Sequence, residues 1–329
     1  MCTALTFDAN SFFFGRNLDL EYSYDYKIVI TPRNYPFRFR NGVTMAAHHA
    51  LIGMAAISED YPLYFEATNE RGLSLAGLNF PKNAKYFPKD QSKINVAPFE
   101  LIPWVLGKYA SVNEFLEYFK HFNIWEENFS EDFPLSPLHW LLADKNRCIT
   151  LESTKDGLKY YENPTGILTN NPPFDYQMTH LSGFLNITAE YPTNRFSNNT
   201  NFIPFSLGMG AMGLPGDPSS PSRFVRGAFV KMNSPKEESD QSLVTQFFHI
   251  LGSVAQQKGI TKTPAGPVEY TQYSSCCNTK TGVYYYTTYE NSRISAVNMH
   301  LENLNGKCLV EYPPIIKQDI YFQNKKAEG

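Results

Sequence analysis

Apolar and polar residues alternate along much of the first 80 positions, which is the two-residue period of β-strands. "TALTF" alternates, "YKIVITPR" is apolar until a proline ends it, and "GLSLAGLNF" alternates again. The period then lengthens. "APFELIPWVLGKY" carries its apolar residues at helical spacing, and Ser111 with Glu114 forms a capping box that opens a second helix through "FLEYFKHF". "CITLESTKDGLKYYE" reads as a hairpin in which Asp156-Gly157 supplies the turn's positive φ. Residues 172–222, rich in Pro, Asn, Gly and Ser, predict long surface excursions. "SLVTQFFHILGSVAQ", near 242–256, predicts a third amphipathic helix, and "GVYYYTTYENSRISAVNM" another hairpin of tyrosine-rich strands.

Strand clusters near both ends with helices between them do not give the strict βαβ alternation of a doubly wound fold. Two sheets covered by helices fit better, an α+β chain arranged as a four-layer αββα sandwich. No internal repeat and no long Gly/Ser or charged linker interrupts the 329 residues, so one domain over 1–329 is expected.

Composition narrows the function classes. The chain is 42% hydrophobic with a net charge of −3, which lacks the basic footprint of a nucleic-acid or anionic-membrane binder. No apolar run approaches the roughly 20 residues of a membrane span, and no basic segment leads into an apolar one as in a secretory leader. The sequons at Asn128, Asn186 and Asn198 therefore carry little weight. The five cysteines are an odd number, spread as Cys2, Cys148, Cys276, Cys277 and Cys308. They make no disulfide framework and suit a reducing cytoplasm. Neither Cys-x-x-Cys nor His-Glu-x-x-His occurs, so no metal and no cofactor is expected.

"GMGAMG" at 208–213 matches a dinucleotide fingerprint in letters only. Pro215, Pro218 and Pro221 follow closely and would break the helix such a site requires. Cys2 is the more informative residue. Loss of Met1 would leave one residue bearing both a thiol and a free α-amine, a nucleophile with its own base. Alone, it reads first as an ordinary N-terminal cysteine with no role. Arg16 and Asp19 in "FFFGRNLDL" would lie near it if the first two strands pair, the cation favouring a thiolate and the carboxylate holding an ammonium. A surface ion pair would use the same two residues. Asn79 and Asn170 each follow an apolar strand and precede prolines, a place for neutral oxyanion donors and also for ordinary turns. Arg223, leaving "GLPGDPSSPSRFVR", is a second cation for a thiolate or a partner for a surface carboxylate.

Together, "MCTALTF", "FGRNLDLEYSY", "ITPRNY", "NERGLSLAGLNFP", "LTNNPPFDYQ", "GLPGDPSSPSRFVR" and "YSSCCN…GVYYYTTYEN" resemble the choloylglycine hydrolase family of N-terminal-nucleophile hydrolases. That family contains bile salt hydrolases and penicillin V acylases. The resemblance runs from residue 1 to about 300 and implies an αββα sandwich with Met1 removed and Cys2 as nucleophile. It implies that Arg16 and Asp19 flank the thiol, and that Arg223 is the second arginine near it. An oxyanion hole made by the Asn79 N–H and the Asn170 side-chain amide is implied as well. The expected substrate is a conjugated bile salt, cleaved between the bile acid and glycine or taurine through a thioester. Arg16, Leu20, Tyr24 and Asn79, with loops "DYPLYF" and "EDFPLSPLHW", are expected to contact it, although such apolar stripes also build cores. Family resemblance further implies a homotetramer, with residues near 185–215 reaching a neighbouring subunit. Asn79 favours a bile salt hydrolase over a penicillin V acylase, which would resemble its relatives in carrying Tyr there. A sheet-rich binding or scaffold protein with an inert Cys2 is the reading from another class.

Overall fold

Cys2 opens β1 (Cys2–Asp8), which turns and returns as β2 (Phe12–Leu20), with Cys2 opposite Leu18 and Ala4 opposite Arg16. The structure is a computed structural model that describes residues 1–324. β1 and β2 lie inside a six-stranded antiparallel sheet. Ile167–Leu168 flanks β1, while Tyr270–Asn278, Val283–Thr288 and Ser295–Asn298 continue beyond β2. An eight-stranded antiparallel sheet faces it. Its order is Gly157–Glu162, Cys148–Thr154, Leu138–Ala143, Ser74–Asn79, Tyr61–Asn69, Leu51–Ser58, Lys27–Thr31 and Val310–Tyr312.

Helices cover both outer faces. α1 (Leu101–Lys108) and α2 (Val112–Tyr118) pack Trp104, Val105 and Phe115 with Leu75, Trp140 and Leu151 of the eight-stranded sheet. α3 (Phe174–Ser182), α4 (Ser220–Asn233) and α5 (Asp240–Gly252) lie on the other side, where Phe224, Phe247 and Ile250 join the core of the six-stranded sheet. The αββα order follows from these contacts. It also explains why β1 and β2 are buried on both faces, since each strand has a sheet on one side and helices on the other.

Local chemistry accounts for the departures from the sequence expectations. The capping box is half formed: the Ser111 side chain accepts from the Glu114 N–H at 3.1 Å, but the Glu114 carboxylate takes the N–H of Ala110 instead. α2 stops at Tyr118 and tightens into a 3-10 turn over Phe119–His121, short of the expected end. In the 148–162 hairpin only Gly157 adopts positive φ, at 99°. Residues 172–222 are not all excursion. They contain α3 and the start of α4, and Pro221 sits in the first turn of α4, where its missing N–H breaks no bond. "GMGAMG" forms a short 3-10 turn between Gly208 and Gly213, both at positive φ. No helix among the described residues is long and apolar enough to cross a membrane.

Glu100, buried at the start of α1, accepts the N–H groups of Arg40 and Ala97, and burial raises its carboxyl pKa to about 7. The unfolded carboxyl titrates near ~4.3, so the folded chain binds more protons between the two values. Its contribution to stability is full below the unfolded pKa and is lost as pH rises through about 7. Glu100→Gln should flatten the fall in the urea midpoint between pH 5 and 8 measured for the parent chain.

Candidate active site

Because paired residues of adjacent strands share a face, Cys2, Ala4, Arg16 and Leu18 all point between the sheets. Thr3 and Asn17 point toward the helices, where the Asn17 amide donates to the Leu251 carbonyl at 2.9 Å. Cys2 and Arg16 are thus diagonal neighbours on one buried surface, 3% and 0% exposed. Arg16 Nη1 donates to the carbonyls of Gly77 at 2.6 Å and Phe65 at 3.0 Å, which ties β2 to the facing sheet. Its Nη2 is buried and has no partner among the described residues. Burial alone would lower the Arg16 pKa, but the charges of Cys2, Tyr273, Glu66 and Asp19 outweigh it and raise it.

Asn170 follows the short strand beside β1, and its side chain is the junction of the site. Its Oδ1 accepts the Cys2 N–H at 2.8 Å and Arg223 Nη2 at 2.7 Å, while Nδ2 donates to the Asn79 carbonyl at 2.7 Å. Ser220, the first residue of α4, holds the Asn170 backbone from behind: its hydroxyl accepts the Asn170 N–H at 2.8 Å. Arg223, one turn further along α4, also donates through Nη1 to the Cys2 carbonyl at 2.6 Å and the Thr3 hydroxyl at 2.5 Å. Asn79 is the last residue of its strand, opposite Leu138.

Asp19 is fully buried. Its backbone exchanges hydrogen bonds with Met1, whose ammonium also pairs with the Glu269 carboxylate. An extra residue, Gln272, bulges the 270–278 strand so that Thr271 stands opposite Asp19 and donates to its Oδ1 at 2.6 Å. Burial pushes the Asp19 carboxyl above the usual range, against the opposing pull of Arg223, the chain terminus, Thr271 and Arg16.

The six residues singled out from the sequence as catalytic therefore converge on the start of β1, Arg16 from between the sheets and Arg223 from the helix side. Arg16 and Asp19 are not a surface pair. Leu20 is partly buried against the core, and the Tyr24 ring lies 5.8 Å from both Phe65 and Phe133. That aromatic wall meets the site through the bond from Arg16 to the Phe65 carbonyl. A separate cavity of about 570 Å³, bounded by Arg38, Arg40, Tyr61, Glu100 and Phe129, includes none of the six. Glu66, Thr271 and Glu269 escaped the sequence reading. The signal for Glu66 was available, a lone carboxylate inside the strand "YFEATN".

The sequence profile of "Linear amide C-N hydrolases, choloylglycine hydrolase family" matches residues 2–312. The chain belongs to the choloylglycine hydrolase family. As a family member it is a hydrolase of linear amide bonds. It is 51% identical to a bile salt hydrolase/transferase of Lactiplantibacillus plantarum, over 98% of this chain and 100% of that one. A conjugated bile acid hydrolase of Lactobacillus gasseri is 36% identical over 95% of this chain and 100% of its own. Among solved structures, a conjugated bile acid hydrolase from Clostridium perfringens superposes with a TM-score of 0.91 at 34% identity. That match covers 98% of this chain and 100% of the other. The N-terminal-nucleophile hydrolase fold is thereby established.

Glu66 supports the site from beneath Arg16 as a fully buried carboxylate. Its carboxylate accepts the hydroxyls of Tyr273 at 2.7 Å, Tyr284 at 2.5 Å and Ser275 at 3.0 Å, with Arg16 Nε 3.9 Å away. Burial raises its pKa against the pull of Arg16 and these hydroxyls. Glu66→Gln keeps the shape but removes the charge facing Arg16 and replaces one acceptor by a donor. Urea denaturation should show a loss of about 2–4 kcal/mol.

Proposed function

We propose that this chain hydrolyses conjugated bile salts with Cys2 as an N-terminal nucleophile, working as one domain over 1–329 after Met1 is removed. The observation that carries this reading is the setting of Cys2. It lies between a buried Arg16 on the sheet side and a buried Arg223 on the helix side, with its backbone nitrogen 2.8 Å from Asn170 Oδ1. In the chain that retains Met1 this nitrogen is an amide and cannot serve as a base. Cleavage of Met1 turns the same nitrogen into an amine already oriented by Asn170. Asp19, whose carbonyl and side chain stand beside the Met1 ammonium, would then lie close to the Cys2 ammonium.

The reaction follows from these groups. The Cys2 thiolate, favoured by the two guanidiniums, adds to the amide carbonyl carbon. The oxyanion takes hydrogen bonds from the Asn79 N–H and the second N–H of the Asn170 amide, each worth about 3 kcal/mol in a comparable site. Collapse breaks the C–N bond, and the Cys2 ammonium gives its proton to the departing glycine or taurine nitrogen. Water, deprotonated by the same amine, adds to the thioester, and the bile acid leaves as thiolate re-forms. Arg16, Leu20, Tyr24 and Asn79 contact the substrate, whose steroid rests on the wall formed by Tyr24, Phe65 and Phe133.

A bile salt is preferred to penicillin V because Asn79 stands where penicillin V acylases carry Tyr. The names of the relatives at 51% and 36% identity support the same choice. Five free cysteines favour a reducing, cytoplasmic setting. A homotetramer gives the projecting 185–215 segment a partner, since Leu185, Phe196, Phe205 and Leu207 are each more than four-fifths exposed. Sedimentation of the purified protein should give four copies per particle.

Parallel assays on taurocholate, glycocholate and penicillin V test the substrate class, and faster turnover of penicillin V would overturn it. Intact mass should correspond to a chain beginning at Cys2. Cys2→Ser should abolish amidase activity at least a thousandfold while the circular dichroism spectrum is retained, and substantial remaining turnover would sink the mechanism.

A further inference from the structure

His139 lies within the Leu138–Ala143 strand, fully buried and at least 30 residues in sequence from each of the six residues around Cys2. Three of its contacts reach the neighbours of the two oxyanion asparagines. Its backbone stands opposite Leu78, the residue before Asn79. Its ring stacks on Phe80, the residue after Asn79, with centroids 4.2 Å apart and planes 6° from parallel. Its Nε2, facing a carbonyl and therefore a donor, bonds to the Thr169 carbonyl at 2.9 Å, immediately before Asn170. The ring is itself oriented: Nδ1 lies 3.1 Å from Glu152 Oε1, which also accepts the Phe174 N–H at 3.0 Å at the start of α3.

We propose that His139 is a positioning residue that sets the separation between the Asn79 N–H and the Asn170 amide. The inference rests on the oxyanion roles proposed above for those two asparagines. The donors come from segments 91 residues apart, joined directly by two side-chain amides, Asn170 Nδ2 to the Asn79 carbonyl and Asn171 Nδ2 to the Pro81 carbonyl. The imidazole adds a rigid spacer. It touches the backbone before one asparagine and the residues on both sides of the other, so neither can shift without disturbing stacking or a buried hydrogen bond. Glu152 fixes which way the spacer faces, as an outer carboxylate orients a ligating histidine. Oxyanion stabilisation depends on donors held in place before charge develops, so an error of about 1 Å should cost rate while leaving substrate binding intact.

His139→Phe retains a flat ring against Phe80 and removes both side-chain hydrogen bonds; His139→Asn retains polarity but is too short to span Thr169 and Glu152. Each should lower kcat on glycocholate at least tenfold with KM within twofold. Alkylation of Cys2 by iodoacetamide, which needs the thiolate but no oxyanion hole, should keep the parent rate within twofold. Affinity for a bile-acid aldehyde, whose hemithioacetal oxygen occupies the same hole, should fall by the same factor as kcat/KM. If the Phe variant does not accumulate, the Asn variant gives the same readings. Unchanged kcat in a folded variant, unchanged aldehyde affinity, or alkylation falling in step with kcat would each overturn the assignment. A parent enzyme inactive on bile salts would instead overturn the functional reading on which it rests.

Discussion

The Arg223 guanidinium reaches from the first turn of α4 to the Cys2 carbonyl, the Thr3 hydroxyl and the Asn170 amide oxygen, so one rigid cation fixes the first strand against the segment that carries Asn170. Removing such a group from water is costly unless its donors are satisfied and opposite charge lies near. Its Nε donates to the Pro218 carbonyl at 3.0 Å, and the charges of Asp19, Cys2 and Glu269 oppose, without cancelling, the desolvation that lowers its pKa. The four-layer architecture makes this arrangement possible. Only a strand covered on both faces can have one arginine between the sheets and another beneath the helices.

Much of the fold was legible in the chain because its signals are local. A strand's period, a glycine at positive φ and a serine that caps a helix all act within a few residues. α3 and the start of α4 were hidden because the Pro-, Asn-, Gly- and Ser-rich run of 172–222 reads as loop, whereas Pro172 and Pro173 lie just ahead of α3 and Pro221, in the first turn of α4, has no hydrogen bond to lose. The nominal alternation of β1 also understated its burial, since the small residues Thr3 and Thr6, on opposite faces of the strand, are both buried without looking apolar.

The site divides in the same way. Cys2, Arg16 and Asp19 share one hairpin, so their proximity follows from a single strand pairing. Asn79, Asn170 and Arg223 could be tied to them only by family resemblance, because chain topology brings them from distant segments. Glu66 and His139 were not singled out, although the first is a lone carboxylate inside a strand and the second falls within "EDFPLSPLHW". Glu66 finds Tyr273 and Tyr284 more than 200 residues away, and the buried contacts of His139 cross three strands of the second sheet and reach the 169–170 segment. Partners this remote leave no spacing in the sequence.

The ammonium of Met1, paired with Glu269 and the Asp19 carbonyl, has a practical consequence for handling the protein. An affinity tag or reporter fused ahead of Met1 would turn that ammonium into a peptide N–H. The buried Glu269 carboxylate would lose its cation. Such a fusion would also keep the Cys2 nitrogen in a peptide bond, without the free amine the proposed reaction uses, however well the rest folds. Labels belong toward the opposite terminus, where Phe322 is exposed and outside both sheets.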